Sequence, residues 1–186
     1  VVISNTAPLE EFYHAKPFPQ YMPTIVFLGR LVERKGCQYL LRAVARLDIR
    51  PLKVVICGGG PLEASLKQFA HSNNLDDVVE FKGFVSESDK PRYLASADIA
   101  VFPSTGGESF GIVLIEAMAA ARGIVLAGDN PGYRSVMGDH PELLFDPLDG
   151  QQFAQKLTHF LQDAQGRAAN APGFDKTRVG GRPASR

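Results

Sequence analysis

Two acids, Glu108 and Glu116, stand eight positions apart in the segment Pro103-Ser104-Thr105-Gly106-Gly107-Glu108-Ser109-Phe110-Gly111-Ile112-Val113-Leu114-Ile115-Glu116. The apolar run before it predicts a strand, the glycines a turn, and the pattern from Gly111 a helix. Backbone N–H groups at a helix N-terminus form a ready anion site. Carboxylates there repel a phosphate, so their better partners are hydroxyl groups. A sugar or a ribose supplies those. Glu108 before the helix also suits the helix dipole, and Glu116 could be a solvated helix position. However, Glu116 opens the run Ala117-Met118-Ala119-Ala120-Ala121, and an acid heading so apolar a stretch fits a cleft better than open solvent.

Three other places add to this chemistry. Gly29-Arg30, with Lys35-Gly36 just after, follows an apolar run. A planar guanidinium and a mobile ammonium suit a diphosphate, although both could be solvated surface cations. Gly58-Gly59-Gly60-Pro61 follows the next apolar run and permits either close approach to a ligand or a tight turn. It is not the GxGxxG dinucleotide fingerprint. Phe84-Val85 could offer an apolar surface to a base. Cations for phosphate, a helix start, and two acids for hydroxyls add up to a nucleotide-sugar site.

Those residues need a scaffold that brings them together. Short, nearly continuous apolar runs at Thr24–Leu28, Leu52–Cys57, Val78–Phe81, Asp98–Phe102, Ile124–Ala127 and Glu142–Phe145 read as strands buried on both faces. Helical patterns lie between them at Cys37–Leu47, Leu62–Ser72, Asp89–Ala97, Gly111–Ala121, Gly132–Gly138 and Gly150–Gln162. The last is signalled by Asp149 as N-cap with Gln152 three residues later. The alternation predicts an α/β fold: a Rossmann-like, doubly wound parallel sheet of about six strands, preferred over a smaller flavodoxin-like sheet. Ligands of such sheets bind at the C-terminal ends of the strands, where all the candidates fall. Residues 1–23, rich in Pro, read as an extended lead-in; 24–163 as the domain; and 164–186 as a disordered tail.

The 186 residues carry 20 basic and 20 acidic side chains. A neutral chain argues against a nucleic-acid binder, which usually has a basic excess. From Arg167 on there are five basic residues and one acid, so the body has four more acids than bases. Two cysteines make no disulfide framework and point to a reducing, cytoplasmic compartment. No apolar run reaches the roughly 18 residues of a membrane span, and no signal peptide is evident. The absent initiator Met and the polar end read as cut edges.

The setting Glu108-Ser-Phe-Gly-Ile-Val-Leu-Ile-Glu116-Ala-Met-Ala resembles the signature of retaining glycosyltransferases of the GT-B fold, family 4 (group 1). Ser4-Asn5, Gly29-Arg30, Lys35-Gly36, Gly58 to Pro61, Gly83-Phe84-Val85, Ala97-Asp98 and Phe145-Asp146-Pro147 follow the family's landmarks in order. The segment is most similar to that of bacterial phosphatidylinositol mannosyltransferases, which use GDP-mannose. The resemblance implies that Arg30, Lys35 and Glu108 are catalytic, the cations holding the diphosphate and Glu108 lying near the sugar. It implies donor-binding roles for Gly29, Thr105, Gly106, Gly107, Ser109, Phe110, Gly111 and Ile112. Glu116 would bind the ribose, with Val85 and Lys90 beside the base.

The sequence departs from the family at Ala121 and Gly123, where Gly and Pro are usual, and at Ser135, where a Glu is common. The resemblance covers only the C-terminal, donor-binding half of a GT-B enzyme. The acceptor site would sit on a missing N-terminal domain, through which any contact with the inner face of a membrane would be made. No metal or cofactor is required on this reading, Mg²⁺ on the diphosphate being compatible with it. UDP- or ADP-sugar donors, a GT-B sugar-nucleotide epimerase and a non-catalytic nucleotide-binding module are the alternatives.

Overall fold

The computed structural model describes residues 9–167. The landmark Ser4-Asn5 and most of the 164–186 tail therefore lie outside the described residues. Six strands run β1 Thr24–Leu28, β2 Lys53–Cys57, β3 Val79–Gly83, β4 Ile99–Phe102, β5 Ile124–Gly128 and β6 Leu144–Phe145. All adjacent pairs are parallel, in the order β3-β2-β1-β4-β5-β6. This is the doubly wound order, and it reverses between β1 and β4. β1 and β4 are buried along their whole length, which explains their unbroken hydrophobicity. The edge strand β3 is only partly buried and carries Glu80 and Lys82, charges that blunt an open edge.

Among the described residues seven α-helices flank the sheet: α1 Glu10–Tyr13, α2 Cys37–Val44, α3 Glu63–Ser72, α4 Lys90–Ala95, α5 Ile112–Ala120, α6 Pro131–Met137 and α7 Gly150–Arg167. α2 packs with α3 and α7, while α1, α4 and α5 pack together in a second group. The α7 stripe is as the periodicity requires: Phe153, Leu157 and Leu161 are fully buried, and Phe160 lies partly buried on the same core. Asp149 caps α7 by accepting from the Gln152 N–H at 2.9 Å. Gln152 Oε1 instead accepts from the Asp146 N–H at 3.2 Å, so it secures the preceding turn.

Two elements differ from the sequence reading. β6 has only two residues because Glu142 belongs to a 3-10 turn, Pro141–Leu143, and only Leu144 and Phe145 pair with β5. The segment before β1 contains α1, whose Phe12 is buried in the core. Beyond α1, the Phe18 N–H donates to Ser96 Oγ at 2.8 Å, and its ring lies 4.7 Å from Tyr93 and 3.9 Å from the Arg92 guanidinium. These contacts strap residues 9–23 across α4.

Candidate functional site

The reversal of strand order brings two turns side by side. One follows β1 and runs Gly29-Arg30 to a 3-10 turn at Glu33–Lys35. The other follows β4 and runs from Pro103 to Gly111. Their fit depends on missing side chains. A Cβ at Gly36, where φ is +77°, would come within 2.0 Å of the Pro103 carbonyl oxygen. A Cβ at Gly58, where φ is +137°, would come within 1.9 Å of the Gly29 carbonyl oxygen. The second contact answers the question left by the three glycines: their close approach is to a neighbouring turn. Gly29 also donates its N–H to the Cys57 carbonyl at 2.9 Å.

Polar ties complete the junction. The Arg34 carbonyl accepts from the Thr105 N–H at 2.9 Å and lies 3.0 Å from Ser104 Oγ, whose single proton it shares with Glu108. Three donors meet on one carboxylate oxygen, Glu108 Oε1: Lys35 Nζ at 2.7 Å, Arg34 Nη1 at 2.9 Å and Ser104 Oγ at 2.9 Å. Glu108 Oε2 has no hydrogen bond among the described residues. Burial pushes the Glu108 carboxyl up, but the bonds from Lys35 and Ser104 and the charges of Lys35 and Arg34 outweigh it. The carboxyl is held below its ordinary range. Its side chain is 11% exposed, whereas that of Arg34 is 48% exposed.

The sequence reading assigned Lys35 to a diphosphate and Glu108 to a sugar; the structure joins the two to each other. Arg30 is exposed in the turn after β1. Gly106 and Gly107 both adopt positive φ, so the loop needs them for its path. Ser109 and Phe110 are exposed at its end. Gly111, left-handed at φ +58°, is the N-cap of α5, and no side chain caps this helix. Ile112 is the first residue of α5, so its amide stands among the N–H groups without an intrahelical acceptor.

A second group lies by α4 and α5. Val85 is partly buried against the core, and Lys90 opens α4 with its ammonium 2.5 Å from Glu87. Glu116 is half-buried on α5. Burial pushes its carboxyl up; the Lys90 charge opposes this and the Glu87 charge adds to it. Lys90 and Glu87 are thus both close enough to act on Glu116.

Sequence reasoning missed Arg34 and Asn130. Arg34 stood next to Lys35, within the same cationic turn. Asn130 is buried behind the Glu108 loop, where its amide donates to the carbonyls of Ser104 at 3.0 Å and Gly128 at 3.2 Å. Its Oδ1 accepts from the Tyr133 N–H at 3.0 Å and caps α6. Asn followed by Pro is a helix-start signal that could have found it. The departures are accommodated. A Cβ at Gly123 would come within 2.1 Å of the Asp98 carbonyl oxygen, and Ser135 Oγ bonds the Gly132 carbonyl at 2.7 Å on the surface.

Strand order and strand-end loops together define a Rossmann-like domain of the kind found in GT-B glycosyltransferases. The chain matches the family model described as glycosyl transferases group 1 over residues 10–172, and it belongs to that family. It is 38% identical over 155 residues to a phosphatidyl-myo-inositol mannosyltransferase of Mycolicibacterium smegmatis, covering 81% of this chain and 39% of that protein. It is 32% identical over 149 residues to a GDP-mannose-dependent alpha-(1-6)-phosphatidylinositol monomannoside mannosyltransferase of Mycobacterium tuberculosis, covering 76% of this chain and 39% of that one. This chain thus spans about two fifths of the length of these curated relatives. Among solved structures, it resembles the C-terminal domain of a glycosyl transferase group 1 family protein from Francisella tularensis. That likeness has a TM-score of 0.71 at 26% identity, covering 86% of this chain and 89% of the other.

Proposed function

We propose that this domain binds the nucleotide-sugar donor of a retaining hexosyltransferase, and that the sugar is mannose carried by GDP. The observation that carries the reading is the junction between the β1 and β4 turns. There a lysine pairs with a held carboxylate, in the loop that leads to the uncapped start of α5, at the strand ends where doubly wound sheets bind ligands. The activities of the mycobacterial relatives support mannose, GDP and a lipid acceptor.

In this reading the diphosphate leaves as the bond from sugar C1 to phosphate oxygen breaks and a bond from C1 to an acceptor oxygen forms. The proton of the acceptor hydroxyl passes to the departing diphosphate oxygen. Arg30, Lys35 and the α5 amides take the charge that develops on the departing diphosphate. Glu108 accepts from a sugar hydroxyl, Glu116 from the ribose, and Val85 and Lys90 border the base. Mg²⁺ carried on the donor's diphosphate is compatible with this reading. The acceptor site and any membrane contact belong to an N-terminal domain, on the cytoplasmic side.

Titration of the chain with GDP, UDP and ADP, followed by amide NMR, tests this. GDP alone should shift Val85, Lys90, Gly111 and Glu116. Shifts with UDP or ADP alone would reassign the donor, and none with any nucleotide would refute the site.

A further inference from the structure

Lys35 cannot serve a diphosphate while it neutralises Glu108 unless something else keeps that carboxylate satisfied. Glu108 is largely covered, and a covered carboxylate left with one hydroxyl donor is costly. Arg34 supplies the missing partner. Its Nη1 holds the same Oε1 at 2.9 Å and reaches the Gly107 carbonyl at 3.3 Å. Its carbonyl is pinned by Ser104 and Thr105. Its stem also passes beneath Gly107, whose Cβ would lie 3.5 Å from Arg34 Cδ.

Resting on the donor-binding reading above, we propose that Arg34 is a positioning residue that retains Glu108 when Lys35 is handed over to the donor's diphosphate. Arg34 then keeps Oε1 engaged, and Oε2 stays turned to the sugar. Its effect on the diphosphate runs through Lys35 alone. The guanidinium is suited to this task because its fork bonds a carbonyl and a carboxylate together.

The test is a cycle of variants of the full chain, titrated calorimetrically with GDP, UDP and ADP. The nucleotide with the highest wild-type affinity is carried forward. Lys35→Met should weaken its binding whatever the role of Arg34. Arg34→Met should weaken it about threefold to tenfold, because Lys35 stays with Glu108. Adding Glu108→Gln to Arg34→Met should restore the affinity by releasing Lys35, and Arg34→Lys should retain most of it. Loss of a merely structural contact would not be reversed by Glu108→Gln. Unchanged affinity in Arg34→Met, with Lys35→Met impaired, would overturn this proposal and leave the donor site standing. Failure of the wild type to bind any of the three, or indifference to Lys35→Met, would overturn the donor reading itself.

Discussion

Lys35 Nζ and Glu108 Oε1 lie 2.7 Å apart, joining the turn after β1 to the loop after β4. The pair ties together residues 73 positions apart in the chain. It also makes part of the stability depend on pH. Glu108 is held below the ordinary glutamate value of 4.5 when folded, so its contribution is complete above that value. The contribution is lost as pH falls through the folded value. Urea unfolding midpoints of the wild type should therefore drop more steeply below pH 4.5 than those of Glu108→Gln. Parallel curves would contradict the pairing.

Glu116 has the opposite sign. Burial raises its carboxyl, so over the window above 4.5 the folded chain binds more protons than the unfolded one, and stability falls as pH rises. Glu116→Gln should raise the melting temperature at pH 7 and lose that advantage below the ordinary glutamate value. The same variant should bind nucleotide more weakly, because a neutral amide is a poorer acceptor for ribose hydroxyls. Gain of stability with loss of binding is the usual signature of a site residue.

Gly58→Ala should be among the most damaging single-methyl changes in the domain. It combines a φ of +137° with a 1.9 Å clash against backbone, which no rotamer change can relieve. We expect a loss of about 3 kcal/mol or more, read as a melting temperature about 10 °C lower. Gly106→Ala provides the contrast. Its φ of +155° is similarly strained, but nothing lies within 4 Å of its Cβ position, so its loss should be smaller.

Asn130 separates two contributions. Asn130→Ala removes the α6 cap and two amide donors, for a loss of about 2–3 kcal/mol by chemical denaturation. Asn130→Asp keeps the cap acceptor but faces the Ser104 and Gly128 carbonyls with an anion. Its loss should at least equal that of Ala. If capping were the whole role, Asp would be nearly neutral.

How much of this was legible in the sequence varied with the range of the interaction. β1, β2 and β4 declared themselves through continuous apolar runs, because burial on both faces leaves no polar alternation. The α7 cap was readable because Asp149 and its partner N–H lie three residues apart. α1 was not, since four residues are too few to show a helical period. Glu108 and Lys35 were each picked out by their settings. Their contact was not, and neither was the part of Arg34, because no local pattern records which distant loop a side chain meets. The three glycines after β2 were equally ambiguous until the Gly29 carbonyl was found against Gly58.

The ties that hold the switch point also set an order of assembly. Phe18 to Ser96 spans 78 positions, Thr24 to Asp98 spans 74, Arg34 to Glu108 spans 74, and Ser104 to Arg34 spans 70. None of them can close when only β1, β2 and β3 have left the ribosome. Until the loop after β4 arrives, Arg34 and Lys35 have no Glu108 to meet and are solvated cations on a half-built sheet. Such distant pairings close late and slowly, since loop entropy must be overcome before any contact compensates for it. The junction between the β1 and β4 turns therefore takes shape only after β4 and its following loop have been made.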